Sequence, residues 1–262
     1  MTVTAGVRIH PSALIDKSAE LGADVEIGPF TIVGPDVEIG DGSRLGARVT
    51  LERNVRLASG VRIGDGTILG SDPQDLKYRG EETWVEVGAD TVIREYSTIN
   101  RATTATGVTR VGARAFIMSY VHLAHDCHIG DGVIIANGTQ LAGHVTIQNR
   151  ASVSGLVAVH QFVTIGAFAF VGGCSRVNQD IPPYVKAVGN PIELYGLNTI
   201  GLQRAGFGAE TVTALKRLYR LFFNSELNLS QAVDRARTEL PALPEVERFL
   251  TFVTNSQRGV PA

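Results

Sequence analysis

The sequence is short of most things that mark a specialised class of protein. Its 262 residues include two cysteines, Cys127 and Cys174, so no disulfide framework holds it together and a reducing compartment is expected. Charged residues make up only 19% and the formal net charge is −2, which excludes the basic surface that general nucleic-acid binding needs. No apolar run approaches the ~18 residues of a membrane-crossing helix, so no membrane span is expected. The opening stretch, MTVTAGVRIHPSA, lacks a basic segment leading into an apolar one, and no secretion signal is read there. A cytoplasmic protein is the expectation.

Glycine is in excess, with 29 residues, and many follow an aliphatic side chain directly, as in Leu21-Gly22, Ile27-Gly28, Val33-Gly34, Ile39-Gly40 and Ile63-Gly64. These pairs repeat every six residues. Of the 29 positions taken every sixth residue from Ile9 to Val177, 26 are Ile, Leu or Val. Chance does not produce such a run. Two residues earlier, small or β-branched side chains recur, among them Val25, Val37, Val61, Ala115, Val133, Val145 and Val163. A strand turned through a corner every six residues points both positions inward, with glycine expected to supply the corner's unusual dihedrals. Three edges complete a coil, so residues about 18 apart should stack. The fold class is therefore mainly β, a parallel β-helix of hexapeptide repeats with a triangular cross-section. A β-sandwich would show turn signals every 8–12 residues and no fixed phase.

Asp75, Glu81 and Ala105 break the aliphatic rule, within SDPQDLKYRGEETW and NRATTATGVT. Both stretches read as loops extruded from the coil, near 71–86 and 100–110. The phase ends around Asp180-Ile181-Pro182-Pro183, which divides the chain into a β-helix over 1–185 and a C-terminal helical domain over 186–262. In the latter, Val212, Leu215, Leu218, Leu221 and Phe222 fall mostly on one helical face. Asn228-Leu-Ser-Gln231 has the form of a capping box, and Pro244 can open a last helix. Such a domain would close the open end of the solenoid.

The densest chemistry lies in SYVHLAHDCHIGDG, residues 119–132. His122 and His128 are six apart and so occupy successive faces, from which they cannot converge on one ion within a chain. No metal and no other cofactor is expected, although a metal assembled between subunits stays open. Cys127 falls on the small inward position and reads as a buried thiol, while His128 reads as a solvated rim residue. Stacking at 18 residues sets His125 over Gly143 and Asp126 over His144, with His160 and Gln161 one coil further. That polar, basic flank suits proton transfer near an anionic ligand. A row of surface histidines satisfied by backbone groups fits the same spacing.

QDLKYRGE (74–81), HLAHDC (122–127), LAGHV (141–145), AVHQF (158–162), VGGCSRV (171–177), DIPPYV (180–185) and GLNTIGLQRAGF (196–207) occur in this order. The chain closely resembles the acyl-carrier-protein-dependent UDP-N-acetylglucosamine O-acyltransferases, which open lipid A synthesis, over essentially its whole length. The resemblance implies a left-handed β-helix and a homotrimer with sites in the clefts between subunits. It implies acyl carrier protein as donor and the sugar nucleotide as acceptor. His125 matches the general base, Asp126 the residue that orients it, and Gly143 the backbone N–H that steadies the oxyanion. Asp75, Lys77, His122, His144, His160, Gln161, Asn198 and Arg204 match residues that contact the nucleotide sugar, acyl chain or product. Gly173 matches the position that stops the acyl chain, and glycine there favours a long 3-hydroxyacyl group, with Phe168 and Phe170 expected to narrow the same channel.

Two departures concern the nucleotide: Ile200 stands where well-known members carry an acid, and Ala205 where many carry a second basic residue. Both 3-hydroxy and 3-amino sugar acceptors occur among relatives. Lys216, Arg217 and Arg220 cluster on one helix and offer a surface for the acidic carrier protein. The alternatives are another hexapeptide acyltransferase, N-acyl or CoA-dependent, and a non-catalytic β-helical binding protein.

Overall fold

A short strand followed by a four-residue corner is the unit that the six-residue pattern dictates. The computed structural model of the protein describes residues 2, 3 and 5–261. Among them the units stack into three sheets of nine, eleven and nine strands, the faces of a triangular prism. The first face runs from Thr2–Val3 through His128–Ile129 to Thr164–Ile165. The second starts at Arg8–Ile9 and passes through Phe170–Val171. The third runs from Leu14–Ile15 through His122–Leu123 to Arg176–Val177.

Leu21, Ile27, Val33 and their successors point inward with Val25, Val37, Val61 and Cys127 to form one continuous buried core. Each such aliphatic side chain contributes about 1.5–3 kcal/mol by leaving water, which makes the six-residue phase costly to violate. Coils pair in register 18 residues apart, as in Arg8↔Glu26 and Leu14↔Ile32. Twice the offset lengthens, to 30 at Ile68↔Thr98 and to 24 at Thr98↔His122. The extra twelve and six residues lie in the loops 72–83 and 101–107, and because both numbers are multiples of six the inward phase survives them. They are tighter than the sequence suggests, since Trp84–Val87 and Val108–Val111 return to the first face as strands. Both loops leave the prism at one corner, between the third and first faces.

Apart from Gly70 (φ 86°), the glycines after the aliphatic positions do not supply unusual dihedrals. Positive φ falls two residues later, on Asp24, Phe30, Asp36, Arg48, Asp126, His144 and Phe162 among others. The glycines instead permit close stacking of coils: a methyl group on Gly28 would lie 2.6 Å from the carbonyl carbon of Gly46, and one on Gly40 equally close to that of Ala58.

The boundary expected at 185/186 also shifts. Val185–Val188 continues the second face parallel to Phe170–Val171, and Glu193–Leu197 returns antiparallel beside it. The prolines at 182, 183 and 191 disguised this hairpin, and its register of 16 residues (Phe170↔Lys186) falls outside the six-residue phase. Four helices follow: α1 (Thr199–Arg204), α2 (Ala209–Phe223), α3 (Leu229–Glu239) and α4 (Pro244–Asn255). Asn228 caps α3 in the expected box with Gln231, and Pro244 opens α4. Leu215, Leu218, Phe249 and Leu250 form a second core with Tyr184 and Leu202, seated on the end of the prism. Among the described residues, no helix is long and apolar enough to cross a membrane.

Candidate active site

The corner between the third and first faces carries the histidine cluster, because His125, Gly143 and Gln161 are its successive first residues and Asp126, His144 and Phe162 its second. Positive φ at the second position (62° at Asp126, 61° at His144, 63° at Phe162) lets the chain turn and throws these side chains toward one another. His125 Nδ1 lies 2.7 Å from Asp126 Oδ2, and the carboxylate is fully buried. The His144 ring meets His125 edge-on, with centroids 5.2 Å apart, and stacks on Phe162 at 4.5 Å. His144 Nε2 stands 3.6 Å from the same Asp126 oxygen.

Gly143 sits against this pair. A methyl group there would lie 2.6 Å from His125 Cε1 and 2.8 Å from Nε2, so only glycine lets the imidazole rest on the backbone of the next coil. The backbone N–H of Gly143 has no acceptor among the described residues, while that of His144 is bound by His125 O at 3.0 Å. An accepting imidazole nitrogen and an open amide donor therefore stand side by side.

The carboxyl of Asp126 is held below the usual carboxylate range. Burial, the largest influence, pushes it up, and hydrogen bonds from Thr106, His125 and Thr103 together outweigh that push. A buried carboxylate that accepts from His125 Nδ1 fixes the tautomer with Nε2 free to take a proton. His122 accompanies the pair from the third face, with Nδ1 2.7 Å from Thr98 Oγ1. Burial, and then the neighbouring His125, hold its imidazole below the usual histidine range. Burial drives the Cys127 thiol up to about 12, and its S–H faces Ala142 O at 3.3 Å. It is no nucleophile at neutral pH.

His125, Asp126 and His144 bring their ligand atoms within 4.8 Å of one another, close enough for a metal ion. The spacing of His122 and His128 gave no hint of this triplet. Its carboxylate is already engaged: Thr103 N–H reaches both oxygens at 3.1 and 3.2 Å, and Thr103 Oγ1 reaches Oδ2 at 2.9 Å. Thr106 Oγ1 and His125 take the rest. A carboxylate whose lone pairs are filled makes a poor ligand.

Asp75 turns the 72–83 loop, its carboxylate accepting from Lys77 N–H at 2.9 Å, and leaves the Lys77 side chain exposed. His160 and Gln161 are exposed at the same corner, and the Arg258 guanidinium stands 3.0 Å from His160 Nδ1. Asn198 and Arg204 lie elsewhere, beside the second face. Asn198 caps α1 through Gly201 N–H and donates to Phe168 O at 2.9 Å, which fixes its amide and leaves one N–H and one lone pair over. Arg204 shares a depression of about 600 Å³ with Phe170, Lys186, Tyr195 and Ile200. Gly173 occupies the corner between the second and third faces. Phe168 does not join it: that ring is on another corner, packed on Phe207 at 4.9 Å and Tyr184 at 6.0 Å. Within one chain the site residues thus form two groups on different flanks.

Thr98, Arg101, Thr103, Thr106 and Arg258 were invisible to sequence reasoning. The six-residue insertion displaces Thr103 and Thr106 from the 18-residue stacking rule, and Arg258 arrives from the far end of the chain.

The matches to known proteins agree with this geometry. Residues 180–261 match the family model described as UDP-N-acetylglucosamine O-acyltransferase, domain 2, and residues 18–53 and 109–143 match the bacterial transferase hexapeptide model. An acyl-[acyl-carrier-protein]--UDP-N-acetylglucosamine O-acyltransferase of Syntrophobacter fumaroxidans is 46% identical over 256 residues, covering 97% of this chain and 99% of its own. The chain belongs to the UDP-N-acetylglucosamine O-acyltransferase family. The namesake from Synechocystis sp. is 48% identical over 189 residues, or 72% of this chain and 68% of its own. The crystal structure of a UDP-N-acetylglucosamine acyltransferase from Bacteroides fragilis superposes with a TM-score of 0.94 at 40% identity, covering 97% of this chain and all (100%) of the other.

Proposed function

We propose that the protein moves a 3-hydroxyacyl group from acyl carrier protein to the 3-hydroxyl of UDP-N-acetylglucosamine, the opening reaction of lipid A synthesis in the cytoplasm. One observation carries the mechanism: the His125–Asp126 pair rests on a backbone amide, Gly143 N–H, that no described residue accepts from. His125 Nε2 takes the proton of the sugar hydroxyl as its oxygen attacks the thioester carbonyl. Asp126 steadies the imidazolium, and Gly143 N–H donates to the oxyanion. Collapse breaks the carbon–sulfur bond, and the departing thiolate of the carrier takes the proton back from His125. Every proton is accounted for by side chains and substrates, so the reaction needs no metal.

The two separated groups of site residues support a homotrimer. Asn198 and Arg204 reach the histidine corner only from a neighbouring copy, where they and Lys77 would hold the nucleotide sugar. The surface favours such packing. The third face and its corner with the second expose Leu14, Phe30, Ile32, Tyr96, Tyr120 and Leu156, whereas the first face is covered by an Arg56–Glu38–Glu86–Arg110 ion ladder suited to water. Gly173 is exposed on its corner, and the side chain it lacks leaves the acyl track open there, which fits a long 3-hydroxyacyl chain. Lys216, Arg217 and Arg220 are exposed on α2 and fit an acidic carrier protein.

The test is a transfer assay with UDP-N-acetylglucosamine and a series of 3-hydroxyacyl carrier proteins, run beside the matching CoA thioesters. Turnover is expected with long-chain carrier-protein donors, and His125→Ala should lower kcat by on the order of 10²–10⁴. Turnover with CoA thioesters alone, or a His125→Ala protein of normal activity, would overturn the reading.

A further inference from the structure

The ionised Asp126 carboxylate has no exposed surface, and burying such a charge costs several kcal/mol unless donors surround it. Besides His125, the donors come from one place, the six-residue insertion. Thr103 supplies its backbone N–H to both oxygens and its hydroxyl to Oδ2 at 2.9 Å, and Thr106 supplies its hydroxyl to Oδ1. The direction of the Thr103 hydroxyl is itself fixed. Ala105 N–H, which can only donate, points at Thr103 Oγ1 at 3.2 Å, leaving the hydroxyl proton for Asp126. From the other side, Thr109 Oγ1 accepts Asp126 N–H at 2.8 Å.

The insertion is anchored in turn by a buried cation. Arg101, at its foot, is 1% exposed. Its guanidinium donates to Gly70 O, to the Asp72 carboxylate and to Tyr78 Oη at 2.9 Å, the last two within the 72–83 loop. The two insertions are therefore clamped together before either reaches the site.

We infer that Thr103 and Thr106 are positioning residues for the base, holding the Asp126 carboxylate so that one oxygen faces His125 Nδ1 and sharing its negative charge. This rests on His125 being the base. The shared charge has a kinetic signature. A carboxylate with fewer competing donors attracts an imidazolium more strongly, which raises the pH at which the base becomes protonated. A hydroxyl that merely stiffened the loop would change the rate without moving that pH.

The experiment compares Thr106→Val, Thr106→Ser and Thr103→Val with wild type and His125→Ala, in the full chain, with UDP-N-acetylglucosamine and a 3-hydroxyacyl carrier protein. Thr106 is exposed on its outer side, so the valine variant should fold, and melting temperature verifies this. Thr106→Val should lower kcat by about tenfold, a fraction of what a positioned base provides, with KM for both substrates nearly unchanged. The acid limb of its kcat–pH profile should move to higher pH. Thr106→Ser should restore both. Placed on His125→Ala, Thr106→Val should cost nothing further. A Thr106→Val protein with wild-type kcat and pH profile overturns the inference, as does a loss that serine fails to rescue or that persists at full size without His125. A fully active His125→Ala protein would show a different failure, that of the base assignment itself.

Discussion

At the corner between the first and second faces, the first residue of several turns gives its N–H to a side chain one coil along. Asp41 takes that of Ala23 at 2.7 Å, Asp131 that of Ala113 at 2.9 Å, and Asn149 that of Asp131 at 3.0 Å. At the corner between the third and first faces, the equivalent N–H of Gly143 is left open, and the residue one coil along is Gln161. Other corners leave this amide open too, but at Gly143 the imidazole of His125 rests on the glycine. The backbone is the same in both places. One corner spends several of these donors on the fold, whereas the other leaves the Gly143 donor open among the described residues and spends the donors of one insertion on Asp126. Stability and chemistry are thus divided between flanks of a single repeat, without any change of scaffold.

The active corner should be the easier one to disable and the capped corner the easier one to destabilise. Gly143→Ala keeps the amide but sets a methyl group 2.6 Å from His125 Cε1. The ring must then leave its place, and kcat should fall on the order of 10²-fold, the cost of a small misplacement of a catalytic group. The melting temperature should move far less than the rate, because Thr103 and Thr106 still surround the buried Asp126 carboxylate when the ring is displaced. Steady-state kinetics and a thermal melt on the same preparation check both halves. A fully active alanine variant would mean that the imidazole does not work from this position.

Asp41→Ala is the complementary change. It removes a charged acceptor from a backbone amide far from the histidines. Stability should drop by at most about 1 kcal/mol, the net worth of one exposed hydrogen bond, with kcat untouched. Denaturant unfolding measures the first, and the transfer assay the second. Loss of activity without loss of stability would show that the division between the two corners is wrong.

Much of this was legible in the sequence, for reasons that can be traced to particular residues. The inward aliphatic phase from Ile9 to Val177 dictates the prism, because a strand of two residues has no freedom to misplace its single buried side chain. The same phase brought His125 over Gly143 and Asp126 over His144. It failed where the offset departs from 18. Thr103 and Thr106 lie 23 and 20 residues before Asp126, so no stacking rule paired them with it. The hairpin of 185–188 and 193–197 was hidden by prolines that elsewhere end a strand, and α1 is a helix of six residues, too short for a periodic signal. Asn198 shows a different limit. Its residue type matched a substrate contact, and nothing in the sequence showed that the same amide also starts a helix. Phe168 is similar, since sequence proximity to Gly173 conceals the prism edge between them. Glycine's role was misjudged because composition cannot tell a residue needed for its φ from one needed for its missing side chain.

The open amide of Gly143 is the proposed oxyanion donor, and the capped turns elsewhere supply the means to close it. Asn149 shows that asparagine one coil along can accept such an N–H. Gln161→Asn should therefore cap Gly143, whereas Gln161→Ala removes the same glutamine and leaves the amide open. The decisive measurement is the ratio of kcat between these two variants at saturating substrates. An oxyanion donor contributes about 10²–10³ in kcat, so the asparagine variant should be at least about tenfold slower than the alanine variant and no less stable. Equal kcat values, with Gly143 N–H shown by amide exchange to be protected only in the asparagine variant, would contradict the claim.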